Sequence, residues 1–188
     1  MSWEKLIQEN KPLVITGTIN AYSALLAERA GIKAIYLSGG GVANASYGLP
    51  DLAMTSREDV LEDVRRIRSA SELPLLVDID TGWGSALAIS RSIKEMISAG
   101  ASGVHIEDQV SEKRCGHRPN KEIVSSEEMV DRIKAAKDAQ TDDNFLLMAR
   151  TDAFAKGGLQ EVIDRSNAFI EAGAGAIFPE AISTLKDY

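Results

Sequence analysis

Residues 113–117 read Lys-Arg-Cys-Gly-His and hold the only cysteine of the chain, with cations before it and a histidine two residues after. Positive neighbours lower a thiol's pKa, and a nearby histidine makes proton transfer near neutrality feasible. Lys113, Cys115 and His117 are therefore candidate catalytic residues, with Cys115 as an acid/base. A nucleophilic role is the rival reading, and it requires an oxyanion hole and a third orienting group that the sequence does not reveal. The plain alternative is a buried cysteine beside solvated cations. Gly116 and Pro119 argue against it, because they mark a loop and not a core run.

Asp78-Ile79-Asp80 follows the apolar run Leu75-Leu76-Val77. Residues two apart on a strand share a face, so the two carboxylates point the same way if Ile79 faces the helices. Two hard oxygen ligands with room for water and substrate oxygens suit Mg²⁺. Turn or helix-capping aspartates ahead of Gly82 are the other reading. The apolar lead-in favours a site, since two buried carboxylates repel unless something neutralises them. Glu107 and Asp108 end the next apolar run and add acid to the same region. The thiol and the acid pair together point to an enzyme that makes or breaks a bond next to a carboxylate.

Further candidates sit at other strand ends. Ser38-Gly39-Gly40-Gly41 supplies backbone amides that can cradle a carboxylate or phosphate. It is not a dinucleotide fingerprint, because the glycine spacing stops at Gly41, and no Walker A motif is present. Arg150 closes an apolar run and needs an anion, either a ligand or a structural partner such as Asp152. Trp83 and Tyr47 fall in loops at the same end and are compatible with packing alone.

The elements that must position these residues are legible as six apolar runs: Val14 to Ile19, Ala34 to Ser38, Leu75 to Asp80, Gly103 to Asp108, Phe145 to Thr151 and Ala176 to Glu180. Their near-continuous hydrophobicity suits parallel strands buried on both faces. Helical patterns lie between them. Thr55 to Glu58 reads as a capping box ahead of Val60, Leu61, Val64 and Ile67, and Ser125 to Glu128 as a second. Ser85 to Ser98 places Ile89, Ile93 and Ile97 on one face. Ala30-Gly31, Ala99-Gly100 and Ala172-Gly173 each fall where a helix must end and turn back. Polar residues follow five of the strands, and a barrel gathers such ends at one mouth where an open sheet uses mainly its switch point. The expectation is an α/β fold, a (β/α)₈ barrel. The barrel appears as a single domain over residues 1–188, incomplete after about six βα units, with residues 181–188 starting a helix.

Bulk properties narrow the function. With 188 residues, 44% hydrophobic and 26% charged, the chain is ordinary for one globular domain. No run approaches the roughly 18 apolar residues of a membrane span, and the N-terminus lacks a signal-peptide layout. A single cysteine allows no internal disulfide, so a reducing cytoplasm is expected. A net charge of −7 without a basic block argues against nucleic acid as partner. The same charge means that an anionic substrate needs a metal and local arginine.

Lys113-Arg114-Cys115-Gly116-His117 resembles the signature of the isocitrate lyase / phosphoenolpyruvate mutase superfamily. Ser38-Gly39-Gly40, Asp78 to Gly84, Glu107-Asp108, Met148 to Asp152 and Phe178-Pro179-Glu180 match its order and spacing. The Lys-Arg form, running on to Lys121, resembles the 2-methylisocitrate lyase branch that serves propionate degradation. The resemblance spans essentially the whole chain. It implies Mg²⁺ held by Asp78 and Asp80, with Asp51 and Glu107 nearby. Substrate binding would fall to Ser38, Gly39, Gly40, Gly116, Arg150 and Glu180, with Cys115 as acid/base. It further implies a di- or tricarboxylate substrate, a homotetramer with swapped C-terminal helices, and cleavage of 2-methylisocitrate to pyruvate and succinate. Tyr36 is a candidate for taking the hydroxyl proton. Isocitrate or oxaloacetate-like acids are alternative substrates, and a catalytically silent fragment is the alternative of another class. The family continues with two further strands and more substrate-binding residues beyond the motifs found here.

Overall fold

The computed structural model describes residues 2–188. In chain order the elements are α1 (Trp3–Glu9), β1 (Ile15–Gly17), α2 (Ala21–Arg29), β2 (Ala34–Leu37), α3 (Gly39–Tyr47), α4 (Arg57–Arg68) and β3 (Leu75–Asp78). There follow α5 (Ala86–Ser98), β4 (Gly103–Glu107), α6 (Ser126–Asp138), β5 (Leu146–Thr151), α7 (Phe154–Glu171) and β6 (Ala176–Pro179).

All six strands are parallel and neighbour one another in sequence order, β1 to β6. A doubly wound sheet breaks that order at its switch point, so the arrangement is an arc of consecutive (β/α) barrel units. The helices start where capping predicts. Ser56 caps α4 in a reciprocal box with Asp59, one residue later than the Thr55–Glu58 pair read from sequence. Ser125 caps α6 by accepting from the Glu128 amide. Ser85 precedes α5 without a side-chain capping bond. The Ala-Gly pairs end α2, α5 and α7, with Gly31, Gly100 and Gly173 at φ of 81°, 93° and 112°, the left-handed geometry that closes a helix.

Two expectations are corrected. Gly39-Gly40-Gly41 is not a loop but the first turn of α3, capped by Ser38, whose Oγ accepts from the Gly41 amide at 3.3 Å. Residues 181–188 form turns and not a helix. The strands are also shorter than the apolar runs, so Asp80, Asp108 and Glu180 lie just past strand ends.

Alternation along each strand divides two surfaces. Ile35, Leu37, Leu75, Val77, Ile79, Val104, Ile106, Leu147 and Ala149 face the helices and join Val64, Ile67, Ile89, Ile93, Met129, Ile133 and Phe169 in the main core. Each fully buried aliphatic side chain there contributes roughly 1.5–3 kcal/mol. The opposite surface carries Ala34, Leu76 and half-buried Met148 at one end, where Trp3 and Leu6 of α1 pack on them. The Trp3 indole fixes that plug by donating to the Ser102 carbonyl at 2.7 Å. Chemistry-bearing residues take the other end of this surface. No helix of the described residues is long and apolar enough to cross a membrane.

Candidate active site at the strand ends

Parallel register brings the polar residues level. Asp78 of β3 pairs with His105 of β4, and Glu107 of β4 pairs with Arg150 of β5, which in turn pairs with Phe178 of β6. Asp78 is the last residue of its strand, and Asp80 then takes φ of 48°. The turn is held by Asp78 itself, whose Oδ1 accepts from the Asp80 amide at 3.0 Å. Strand alternation alone therefore does not aim Asp80; a turn outside the strand does. Its outcome is one acidic group in which carboxylate oxygens of Asp78, Asp80 and Glu107 lie within 4.8 Å of one another, all buried.

The electrostatics of this group suit a cation. Burial, and then the neighbouring Asp78 charge, push the Asp80 carboxyl up to about 7. Burial likewise holds Glu107 well above the carboxylate range. Burial also acts to raise Asp78, but His105, Lys113 and Arg150 outweigh it and leave Asp78 below its ordinary value. His105 is fully buried and its own pKa is pushed down by desolvation. A neutral imidazole attracts little, so the lasting pull on Asp78 comes from Lys113 and Arg150. Neither oxygen of Glu107 has a hydrogen-bond partner among the described residues, although Arg150 Nη1 lies 3.3 Å from Oε2. A buried carboxylate without donors is costly. Three carboxylates, with both oxygens of Glu107 left without hydrogen bonds, fit a divalent cation.

Around this group the backbone comes close. The Gly39 amide, in the first turn of α3, donates to Asp78 Oδ2 at 3.0 Å. A Cβ on Gly39 would stand 3.1 Å from Asp80 Oδ1, so a side chain would crowd the acids. Tyr36 Oη lies 3.4 Å from Asp78 Oδ2 and 2.8 Å from His105 Nε2. Burial, and then Asp78, raise the phenol pKa, so the free site keeps Tyr36 protonated.

The Lys113–His117 segment divides into parts with different surroundings. Lys113 does not stand free beside Cys115 with its charge open to an anion. Instead its ammonium is sunk among carboxylates, 2.5 Å from Asp51 Oδ1 and 2.6 Å from Asp80 Oδ1. Burial works against that charge, but Asp80, Asp78 and Glu107 overcome it and raise the lysine pKa. Cys115 is half-buried and lines a cavity of about 470 Å³ with Asn44, Asp51, Leu52, Arg114 and Arg118. Gly116 is wedged against the strand ends, where a Cβ would fall within 2.4 Å of Arg150 Nη2. His117 is largely exposed, with Nε2 at 3.3 Å from Glu180 Oε1.

Arg150 meets the structural partner Asp152 and the acids of the neighbouring strand ends, Glu107 and Glu180. Its Nε donates to Asp152 Oδ2 at 3.0 Å and lies 3.7 Å from Glu180 Oε2, and its guanidinium sits 5.5 Å from the Phe178 ring centre. Asp108 belongs elsewhere. It accepts from Thr151 Oγ1 at 2.7 Å, the Asp152 amide at 2.9 Å and Arg165 at 3.1 Å, locking β4, β5 and α7 together. Trp83 packs on the main core and donates to the Thr55 carbonyl at 3.3 Å, and Tyr47 is exposed.

Sequence reasoning missed His105 and left Lys121 and Asp152 at the margin. His105 was accessible to the period-two argument applied to Asp78 and Asp80, since it lies two residues before Glu107 on β4. Lys121 gives no sequence signal of its own. Its ammonium is buried between the Gly116 carbonyl at 2.5 Å and Asp152 Oδ1 at 2.6 Å.

An arc of barrel units thus carries a buried acidic cluster that could hold a metal ion, with an arginine and a glycine-bearing loop beside it at the strand C-termini. The family pattern described as phosphoenolpyruvate phosphomutase matches residues 3–187, and the chain belongs to that family. A 2-methylisocitrate lyase of Shewanella oneidensis is 62% identical over 188 residues, covering 100% of this chain and 64% of the relative. The chain thus spans less than two thirds of that relative's length. Among solved structures, oxaloacetate acetylhydrolase with 3,3-difluorooxalacetate superposes with a TM-score of 0.93 at 32% identity, covering 99% of this chain and 64% of the other. A phosphonopyruvate hydrolase complex with oxalate and Mg²⁺ gives a TM-score of 0.81 at 36% identity, with 92% and 59% covered.

Proposed function

We propose that the protein is a Mg²⁺-dependent carbon–carbon lyase that cleaves 2-methylisocitrate to pyruvate and succinate in propionate degradation. The observation that carries this reading is 62% identity along all 188 residues to a 2-methylisocitrate lyase. Asp78, Asp80 and Glu107 would hold the ion, with Asp51 beside them. Bound there, Mg²⁺ would supply charge stabilisation to the oxygens of the substrate.

The chain's own residues then divide the work. The Arg150 guanidinium, the first-turn amides of α3 behind Ser38, Gly39 and Gly40, and the backbone at Gly116 would bind carboxylates, with Glu180 holding Arg150 in place. Cleavage is of retro-aldol type. The tertiary hydroxyl loses its proton, the carbon–carbon bond breaks, and the electron pair stays on the succinate part as an aci-carboxylate. Cys115 would protonate that carbon, with Lys113 and His117 in the same loop. Tyr36 is the group we assign to the hydroxyl proton; the phenol starts protonated, so it receives that proton as it passes its own to the neutral His105 at Nε2, 2.8 Å away.

A second reading, cleavage of a shorter oxaloacetate-like acid, draws on the TM-score of 0.93 to oxaloacetate acetylhydrolase. A substrate profile separates the two. Pyruvate from 2-methylisocitrate with little oxalate from oxaloacetate supports the first, and the reverse order of rates overturns it. We also propose a homo-oligomer, a tetramer in the intact protein, working in the cytoplasm. Exposed apolar residues ahead of the edge strand β1 and on α2, including Val14, Tyr22 and Leu26, suit association.

A further inference from the structure

The segment that carries Cys115 has little regular structure to fix it. Its base is closed by an antiparallel bridge between Gln109 and Ile123 and by the Val110 amide donating to the Glu122 carbonyl at 3.0 Å. Gln109 braces one limb by bonding the Arg114 carbonyl at 2.8 Å and amide at 3.0 Å. Beyond those, residues 117–120 are exposed. Two buried lysines reach from this segment into the body of the protein. Lys113 binds Asp51 and Asp80, within the acidic group already described. Lys121 goes elsewhere. Its side chain is 4% exposed, and its ammonium spans the Gly116 carbonyl and Asp152 Oδ1.

We propose that Lys121 is a positioning residue that ties the Cys115–Gly116 backbone to the end of β5 through Asp152. Burying an ammonium is expensive unless its donors are satisfied, and here two acceptors face it. One belongs to the loop and the other to the fixed strand end, so the cation is a cross-link between them. Asp152 Oδ1 also accepts from Arg150 Nη2 at 3.2 Å. One carboxylate oxygen therefore sets the loop and the substrate-binding arginine against each other. The position of Gly116, too close to Arg150 and Glu180 for any side chain, is the geometry this tie maintains. The contact itself is independent of the lyase reading; only its consequence for turnover rests on Cys115 being the acid/base.

Hydrogen exchange on the whole 188-residue chain, without substrate, tests the tie. In Lys121→Met the amides of residues 113–120 should exchange roughly tenfold faster, while β4 and β5 keep their protection. Lys121→Gln, which retains a donor, should fall between. Arg150 still satisfies Asp152 in both variants, which favours folding. Unchanged loop exchange, or equal acceleration in β4 and β5, would overturn the proposal, the second by making Lys121 a general support of the fold. Turnover separates the two claims. Faster loop exchange with lower kcat and unchanged Mg²⁺ affinity supports the tie and the Cys115 role together. Faster exchange with unchanged kcat supports the tie and removes Cys115 from the chemistry.

Discussion

The Asp80 carboxyl links the site to stability in a way that needs no substrate. Its pKa is raised from the ordinary 3.8 to about 7 by burial and by Asp78. A raised acid pKa means that the folded protein binds more protons than the unfolded chain between those values. Stability is therefore higher at low pH and falls as pH rises from about 4 towards 7. Three units correspond to about 4 kcal/mol. The proton is shared within the Asp78–Asp80 pair, so about half of this, about 2 kcal/mol, is attributable to Asp80. For a chain of this size that is roughly 4–8 °C in Tm. Without added metal, Tm should drop by about two thirds of that amount between pH 5 and pH 8 relative to Asp80→Asn, which cannot ionise, because the fall begins near pH 4. Millimolar Mg²⁺ should restore Tm at pH 8 and do little at pH 5, where protons compete for the oxygens. Scanning calorimetry of both proteins at both pH values, with Mg²⁺ and with chelator, is the assay. A wild-type Tm that rises with pH relative to Asp80→Asn, or that ignores Mg²⁺ at pH 8, refutes the cation-site argument.

Gly116→Ala would put a Cβ 2.3 Å from Glu180 Oε1, forcing Glu180 and Arg150 outward by about an ångström. Steady-state kinetics should show kcat/KM down on the order of 100-fold, with only a modest loss of Tm. Cys115→Ser should cut kcat by roughly 10²–10⁴ while the Mg²⁺-dependent Tm shift persists, which calorimetry and pyruvate assays together would check. Phe169→Ala, at a fully buried position of α7, should cost about 3–5 kcal/mol in urea unfolding.

Much of this was readable from pattern alone. Six apolar runs became six parallel strands because parallel strands covered on both faces need unbroken hydrophobicity, and the Ala-Gly pairs closed the helices they bracket. The candidate acids were visible because carboxylates at the end of Leu75-Leu76-Val77 conflict with their surroundings. What stayed hidden was set by contacts distant in sequence. Lys113 looks like an anion binder beside Cys115, yet the fold delivers Asp51 from 62 residues away and Asp80 from another strand end to pair with it. Lys121 finds Asp152 in the same manner. Gly39 to Gly41 has the composition of a loop, and glycine is a poor helix former. Capping by Ser38 and the approach of α3 to Asp78 override that propensity.

The central claim is a metal-dependent lyase built on Asp78, Asp80, Glu107 and Cys115. Pyruvate release from 2-methylisocitrate by this 188-residue chain, with Mg²⁺ and with Mg²⁺ removed by chelator, tests it most directly. The account predicts release that requires Mg²⁺ and disappears in Cys115→Ser. Release that persists undiminished in chelator, or that survives loss of the thiol, would contradict it, as would a folded, Mg²⁺-binding chain that yields no pyruvate.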